Sequence, residues 1–126
     1  MIERSSPTAT PEPSFRAFVA HRRGRHRLIL LEEIRRIEAA GNYVRVFVED
    51  GTYLVRSTMQ ALEEHLSPHG FVRVHRGALV PVDQMLEVVG SQSRHRLVLR
   101  DGSTVKVSRE FWQRLKNQVG ILFSND

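Results

Sequence analysis

Apolar positions in this chain recur mostly with a period of two, in short runs separated by glycine-containing pairs. The clearest run is 43–48, Tyr43-Val44-Arg45-Val46-Phe47-Val48. Its β-branched and aromatic residues suit a pleated, half-buried strand. Gly41-Asn42 before it and Asp50-Gly51 after it tolerate positive φ, which predicts tight turns and a return strand over 52–55. Segments 71–74, 79–82, 85–89, 95–99 and 104–107 have the same texture, the last two joined at Asp101-Gly102. Further upstream, 15–19 and 28–31 flank His21-Arg22-Arg23-Gly24-Arg25-His26-Arg27. That pattern predicts a hairpin with a very basic tip, Gly24 supplying the turn. Residues 31–34 read as a helical turn before Ile37 resumes an extended segment.

The period changes to that of a helix in two places. Ser57-Thr58-Met59-Gln60 fits a capping box, with serine and glutamine satisfying free backbone donors at a helix start. Met59, Leu62 and Leu66 then share one stripe, Glu63 and Glu64 lie on the other side, and Pro68 and Gly70 stop the helix. Ser108 is expected to cap a second helix, with Trp112, Leu115 and Val119 on one stripe and Gly120 as its C′ residue. The whole is mainly β, an antiparallel fold of roughly eight to ten short strands with two short helices as covers. Val44, Val46, Val48, Leu97, Leu99, Trp112 and Leu115 are the expected core. Residues 15–122 form one domain in this reading. Residues 1–14, with Ser5, Ser6, Pro7, Pro11 and Pro13, carry too little apolar surface to fold and read as a disordered tail or linker.

Composition narrows the chemistry. With 126 residues the chain can bury one core unaided. It has no cysteine, which removes disulfides, thiolate metal sites and cysteine nucleophiles. No apolar run approaches the ~20 residues of a membrane span, and no signal-peptide core is present, so the default compartment is the cytoplasm and no membrane partner is expected. The formal net charge is +5 and the isoelectric point about 10.7, which favours polyanionic partners. Only two of the 19 basic residues, Lys106 and Lys116, are lysines. Arginine's planar fork grips phosphate or a guanine edge through paired hydrogen bonds. Nucleotide composition alone also produces such a bias, so the bias decides nothing by itself.

Three segments resemble the LytTR family of bacterial DNA-binding domains: Ile37-Glu38-Ala39-Ala40-Gly41-Asn42-Tyr43, Phe71-Val72-Arg73-Val74-His75-Arg76 and Val107-Ser108-Arg109. The resemblance runs from about Arg27 to Gly120, and its middle motif is the most specific. It implies an elongated β fold that reads duplex DNA through loops, as the output domain of a response regulator acting on paired direct repeats in promoters. Base contacts are implied at Asn42 and Tyr43, at His75 and Arg76, and at Arg109. The chain departs from the family pattern at Gly77, commonly serine, and at Pro81, commonly asparagine. Gly77 removes a phosphate-binding hydroxyl, and Pro81 demands an edge or a bend.

Each candidate has a structural alternative. Arg76, at a strand-to-turn transition, either projects to a guanine edge or pairs with Glu87 or Asp83. His75 either contacts DNA or stands on the solvent face of its strand with Phe71 and Arg73. Arg73 reads as a phosphate contact or a structural pair. Arg109 sits in a first helical turn, where free N–H groups seat a phosphate, with Lys106 and Ser108 as phosphate helpers. Asn42 and Tyr43 are explained equally well by turn geometry and edge packing. The basic hairpin tip reads as a solvated turn, with a phosphate or minor-groove role as second choice.

Two rival classes remain open, a metal-dependent nuclease and a non-specific RNA or polyanion binder. The sequence shows no HExxH, nucleophile-elbow or phosphate-loop pattern, and His65 and His69 are separated by Pro68. Neither catalytic residues, metal nor cofactor is therefore expected. Few exposed aromatics favour duplex DNA over RNA. The reading allows a homodimer on DNA, and, since residues 1–14 leave no room for a receiver domain, either a stand-alone regulator or a fragment of a longer protein with an upstream receiver domain or a sensor partner.

Overall fold

The computed structural model describes residues 17–91 and 94–119. Ten strands run in chain order, β1 Ala17–Arg22, β2 Arg25–Leu30, β3 Arg36–Ala40, β4 Tyr43–Val48, β5 Gly51–Arg56, β6 Phe71–His75, β7 Ala78–Pro81, β8 Met85–Ser91, β9 Arg94–Leu99 and β10 Thr104–Val107. Helix α1 is Met59–Leu66 and α2 is Arg109–Val119. One sheet has the order β2-β1-β5-β4-β3-β7-β6 and the other β10-β9-β8, every pairing antiparallel. The mainly β expectation with two helices holds. The expectations for residues 1–14, for Phe15 and for Gly120 lie outside the described residues. Among those described, no helix is long and apolar enough to cross a membrane.

Two cores lie on either side of the β6–β7 end of the large sheet. One gathers Ile29, Ile37, Val44, Val46, Leu62, Leu66, Phe71 and Leu79, among others, beneath α1. The other gathers Val72, Val74, Ala78, Val80, Leu97, Leu99, Val105, Val107 and Leu115 between the sheets and α2. β7 is consequently buried along its whole length. Of the expected core, Trp112 is only partly buried, its ring stacked 4.1 Å from that of His95. Phe111, which no stripe had singled out, is buried instead.

Four local readings are corrected. The first hairpin has strands that run through the basic segment, paired from Ala17↔Leu30 to Arg22↔Arg25, and its turn is only Arg23 (φ 50°) and Gly24 (φ 77°). Arginine stems behave here as strand side chains, with Arg22 and Arg27 each 5.0 Å from the Tyr53 ring. Thr58, not Ser57, caps α1, its hydroxyl accepting from the Ala61 N–H at 3.0 Å. Two adjacent hydroxyls compete for one cap, and backbone geometry selects between them. At α2 the Ser108 carbonyl accepts from Trp112 at 3.0 Å, while the Ser108 hydroxyl oxygen is covered without a partner. Finally, β6 has no solvent face. Phe71 is buried, Arg73 and His75 are half-buried, and a bulge between them breaks the simple alternation. Pro81 ends β7 opposite Phe71 and leads with φ −72° into the 3-10 turn Val82–Gln84, the bend its missing donor requires.

Candidate nucleic-acid interface

The pairing register brings the three sequence motifs to one end of the molecule. β3 and β4 meet in the turn Gly41-Asn42, where Gly41 takes φ 66°. Glu38 pairs with Ala78 on β7, and the Ala39 N–H donates to the Gly77 carbonyl at 2.9 Å. The Arg76-Gly77 turn between β6 and β7 therefore lies beside the end of the β3–β4 hairpin. The Ser108 N–H donates to the Val74 carbonyl at 2.9 Å, which ties the start of α2 to the end of β6. Asn42, Tyr43, Arg76 and Arg109 are exposed at this end. The basic β1–β2 turn lies at the other end. His21 pairs with Leu54, so the chain runs from there towards Gly51, away from Tyr43 and Arg56.

Arg76 makes no ion pair among the described residues, with Glu87 and Asp83 included. Its carbonyl accepts from an Arg73 guanidinium nitrogen at 2.6 Å. Arg73 also pairs with Glu63 of α1 at 3.1 Å, and Glu63 in turn meets Arg114 of α2. The two guanidiniums flank the buried Phe111 ring, 5.6 and 4.7 Å from its centroid. Arg73 is thus committed inward, bracing the Arg76 turn against both helices. Glu63 was expected only to lie away from the apolar stripe of α1. Its two partners come from distant segments, which no local periodicity reveals.

His75 braces the same turn from its other side. Its Nδ1 accepts from the Gly77 N–H at 3.0 Å, so the neutral ring carries its proton on Nε2. Burial pushes the imidazole below its ordinary pKa against the opposing pull of Glu38, and Lys106, Arg73 and Arg76 add to the depression. The same electrostatics place Lys106 within reach of this cluster, where it is exposed on β10. A side chain at Gly77 would meet the His75 ring at 3.4 Å and Ala39 Cβ at 3.7 Å, ordinary contact, so serine's absence is not forced by space. Among the described residues no group of three or more histidines and carboxylates is placed to hold a metal ion.

The arrangement is a rim of exposed donors, two turns and one helix start, carried on two hydrophobic cores. Such a rim can enter a groove of a nucleic-acid duplex, with arginines for base edges and backbone amides or lysine for phosphates.

Comparison with known proteins agrees in kind. The family model of the LytTr DNA-binding domain matches residues 24–120. The chain is 31% identical over 104 residues to the heme-containing CO-sensing transcriptional regulator RcoM 2 of Paraburkholderia xenovorans, covering 81% of this chain and 39% of that protein. It is 30% identical over 109 residues to the sensory transduction protein LytT of Bacillus subtilis, covering 78% of this chain and 45% of that one. The chain thus spans less than half the length of these relatives. A LytTr DNA-binding domain from Bacillus cereus superimposes with a TM-score of 0.78 at 20% identity, over 84% of this chain and 98% of the other, which shows a shared fold.

Proposed function

The chain belongs to the LytTr DNA-binding domain family, and on that premise we propose that it reads promoter DNA for a transcription regulator through the rim of arginine-bearing turns. The observation that carries this reading is the convergence of Asn42-Tyr43, His75-Arg76 and Ser108-Arg109 on one end of the fold, with Arg76 and Arg109 exposed. In this reading Arg76 and Arg109 contact base edges from different turns. Asn42 and Tyr43 form a flanking contact, and His75 offers its Nε2–H to DNA while holding the Arg76 turn. Lys106 meets phosphate. Arg73 and Ser108 act on DNA indirectly, by fixing the Arg76 turn and the start of α2.

Two copies sit on a direct repeat, each entering successive major grooves and bending the duplex. The motivating geometry is that the donors are spread over separate turns, too dispersed for a single recognition helix. Regulatory input then comes from a receiver or sensor domain, in keeping with relatives more than twice as long as the match. The reaction class is binding without catalysis.

Selection of bound duplexes from a random pool, followed by titration, tests the proposal. A reproducible repeated motif is expected, and Arg76→Ala or Arg109→Ala should lower affinity for it by ~1–3 kcal/mol while relaxing preference at particular base pairs. If both variants bind the selected duplex like the unaltered protein, the assignment of these arginines is wrong. Equal binding to duplex RNA and heparin would favour a general polyanion binder instead.

A further inference from the structure

The cations of the second sheet have no role in the reading above, apart from Lys106. Arg96 on β9 pairs directly with Lys106 on β10, and Arg94 lies two residues along the same strand. All three side chains fall on the outer face, because Leu97, Leu99, Val105 and Val107 take the inner one. Two cations opposite one another across antiparallel strands repel, and an isolated sheet gains nothing from that choice. Among the described residues none of the three has an acidic partner, and Arg96 is held only by the Thr104 hydroxyl at 3.1 Å.

These residues line an open groove of about 650 Å³ together with Val89, Gly90 and Arg109. No carboxylate lines it. Arg109 belongs both to this groove and to the rim, so one continuous basic surface joins them. Gly90 takes φ 109°, and a Cβ there would stand 2.0 Å from the Arg94 carbonyl oxygen. Only a residue without a side chain lets β8 close on β9 and hold Arg94 and Arg96 at the groove's edge.

We propose that the outer face of β9 and β10, with Arg94, Arg96 and Lys106, is a clamp for the phosphate backbone of duplex DNA flanking the bases read by the rim. The inference rests on the DNA-binding reading and extends it to a surface that carries no sequence information. The like-charged pair then has a use, since successive phosphates seated one against Arg96 and one against Lys106 relieve their repulsion. Three neutralised phosphates release their counterions, so the clamp contributes through the salt dependence of binding.

The test uses the full chain and fluorescence-labelled duplexes carrying the selected site, over a range of salt concentrations. The triple variant Arg94→Gln, Arg96→Gln, Lys106→Gln, all surface positions, is compared with Arg76→Ala, and circular dichroism checks both folds. The triple variant should weaken binding to selected and random duplexes by the same factor. It should also reduce the log–log salt slope by about 2.7, roughly 0.9 for each phosphate, with base preference unchanged. Arg76→Ala should show the reverse, a lost base preference with the slope shifted by no more than about one phosphate. Trimming the flanks to the selected core should abolish the effect of the triple substitution. The clamp is overturned if the triple variant keeps the full slope while Arg76→Ala still relaxes base preference. Should the unaltered chain fail to bind duplex DNA, the underlying reading falls and the clamp with it.

Discussion

At the Gly51 end of the large sheet, Arg22 and Arg27 stack over Tyr53, and Arg27 also meets Asp50 at 2.7 Å and Glu33 at 3.1 Å. At the Asn42 end Arg76, Arg94, Arg96 and Arg109 make no ion pair among the described residues. Glu32, Glu33, Glu49 and Asp50 surround Arg27 and Arg35, and Asp101 approaches Arg35 at 3.8 Å and accepts from both the hydroxyl and the N–H of Ser103. Near the rim, Glu63 is consumed by Arg73 and Arg114. A count of arginines treats the two ends alike, whereas their side-chain partners differ. Arg27 uses its charge to close the fold, while the rim arginines, like Arg23 and Arg25 at the β1–β2 turn, make no ion pair among the described residues and leave their charge to solvent.

Several substitutions would break this contrast or sharpen it. The largest effect is expected at Glu63, where alanine leaves the half-buried Arg73 guanidinium uncompensated and loosens both helices from β6. A loss of about 2–3 kcal/mol in urea denaturation is expected, with weaker DNA binding as a consequence. At the rim the stability and binding readouts should part. Arg76→Ala and Arg109→Ala are expected to stay within about 0.5 kcal/mol of the parent in stability, while losing the affinity given above. A large drop in stability at Arg76 would show that its side chain serves the fold after all. The converse is expected at the far end, where Arg27→Ala should lower the urea midpoint and leave the DNA titration and its salt slope unchanged.

The smallest effect concerns pH. The folded pKa of His75 is held below that of the unfolded chain, mainly by burial. The unfolded state therefore binds the extra proton first as pH falls. The associated stability is complete above the ordinary histidine value of about 6.5 and is lost progressively below it. Protonation also removes the Nδ1 acceptor that the Gly77 N–H uses. A histidine titration followed by NMR should place His75 below the ordinary value. A midpoint at or above that value would contradict the buried, turn-bracing role.

Strands with a clean alternation and glycine-bearing turns could be read directly. The expected 43–48 became β4 residue for residue, and Asp101-Gly102 closed the β9–β10 hairpin. Adjacent chemistry was harder, as at Ser57 and Thr58, where either hydroxyl suits the cap and one residue decides. The face of β6 was illegible because two things act on it from outside its own sequence. A second sheet and α2 cover the side opposite α1, and the bulge after Arg73 shifts the register. The candidate site was legible as three motifs, but not as one surface. Their convergence depends on β3 pairing with β7, and on a backbone bond from Ser108 to Val74 across 34 positions of chain. The opposition of Arg96 and Lys106 likewise depends on the register of β9 against β10.

The strand order leaves β2 with only β1 beside it among the described residues. Such a margin invites another molecule to add a strand, and the apolar Leu28 and Val19 on the exposed face would welcome it. Arg25 stands exposed along that margin, so an identical copy brought to it would meet like charge.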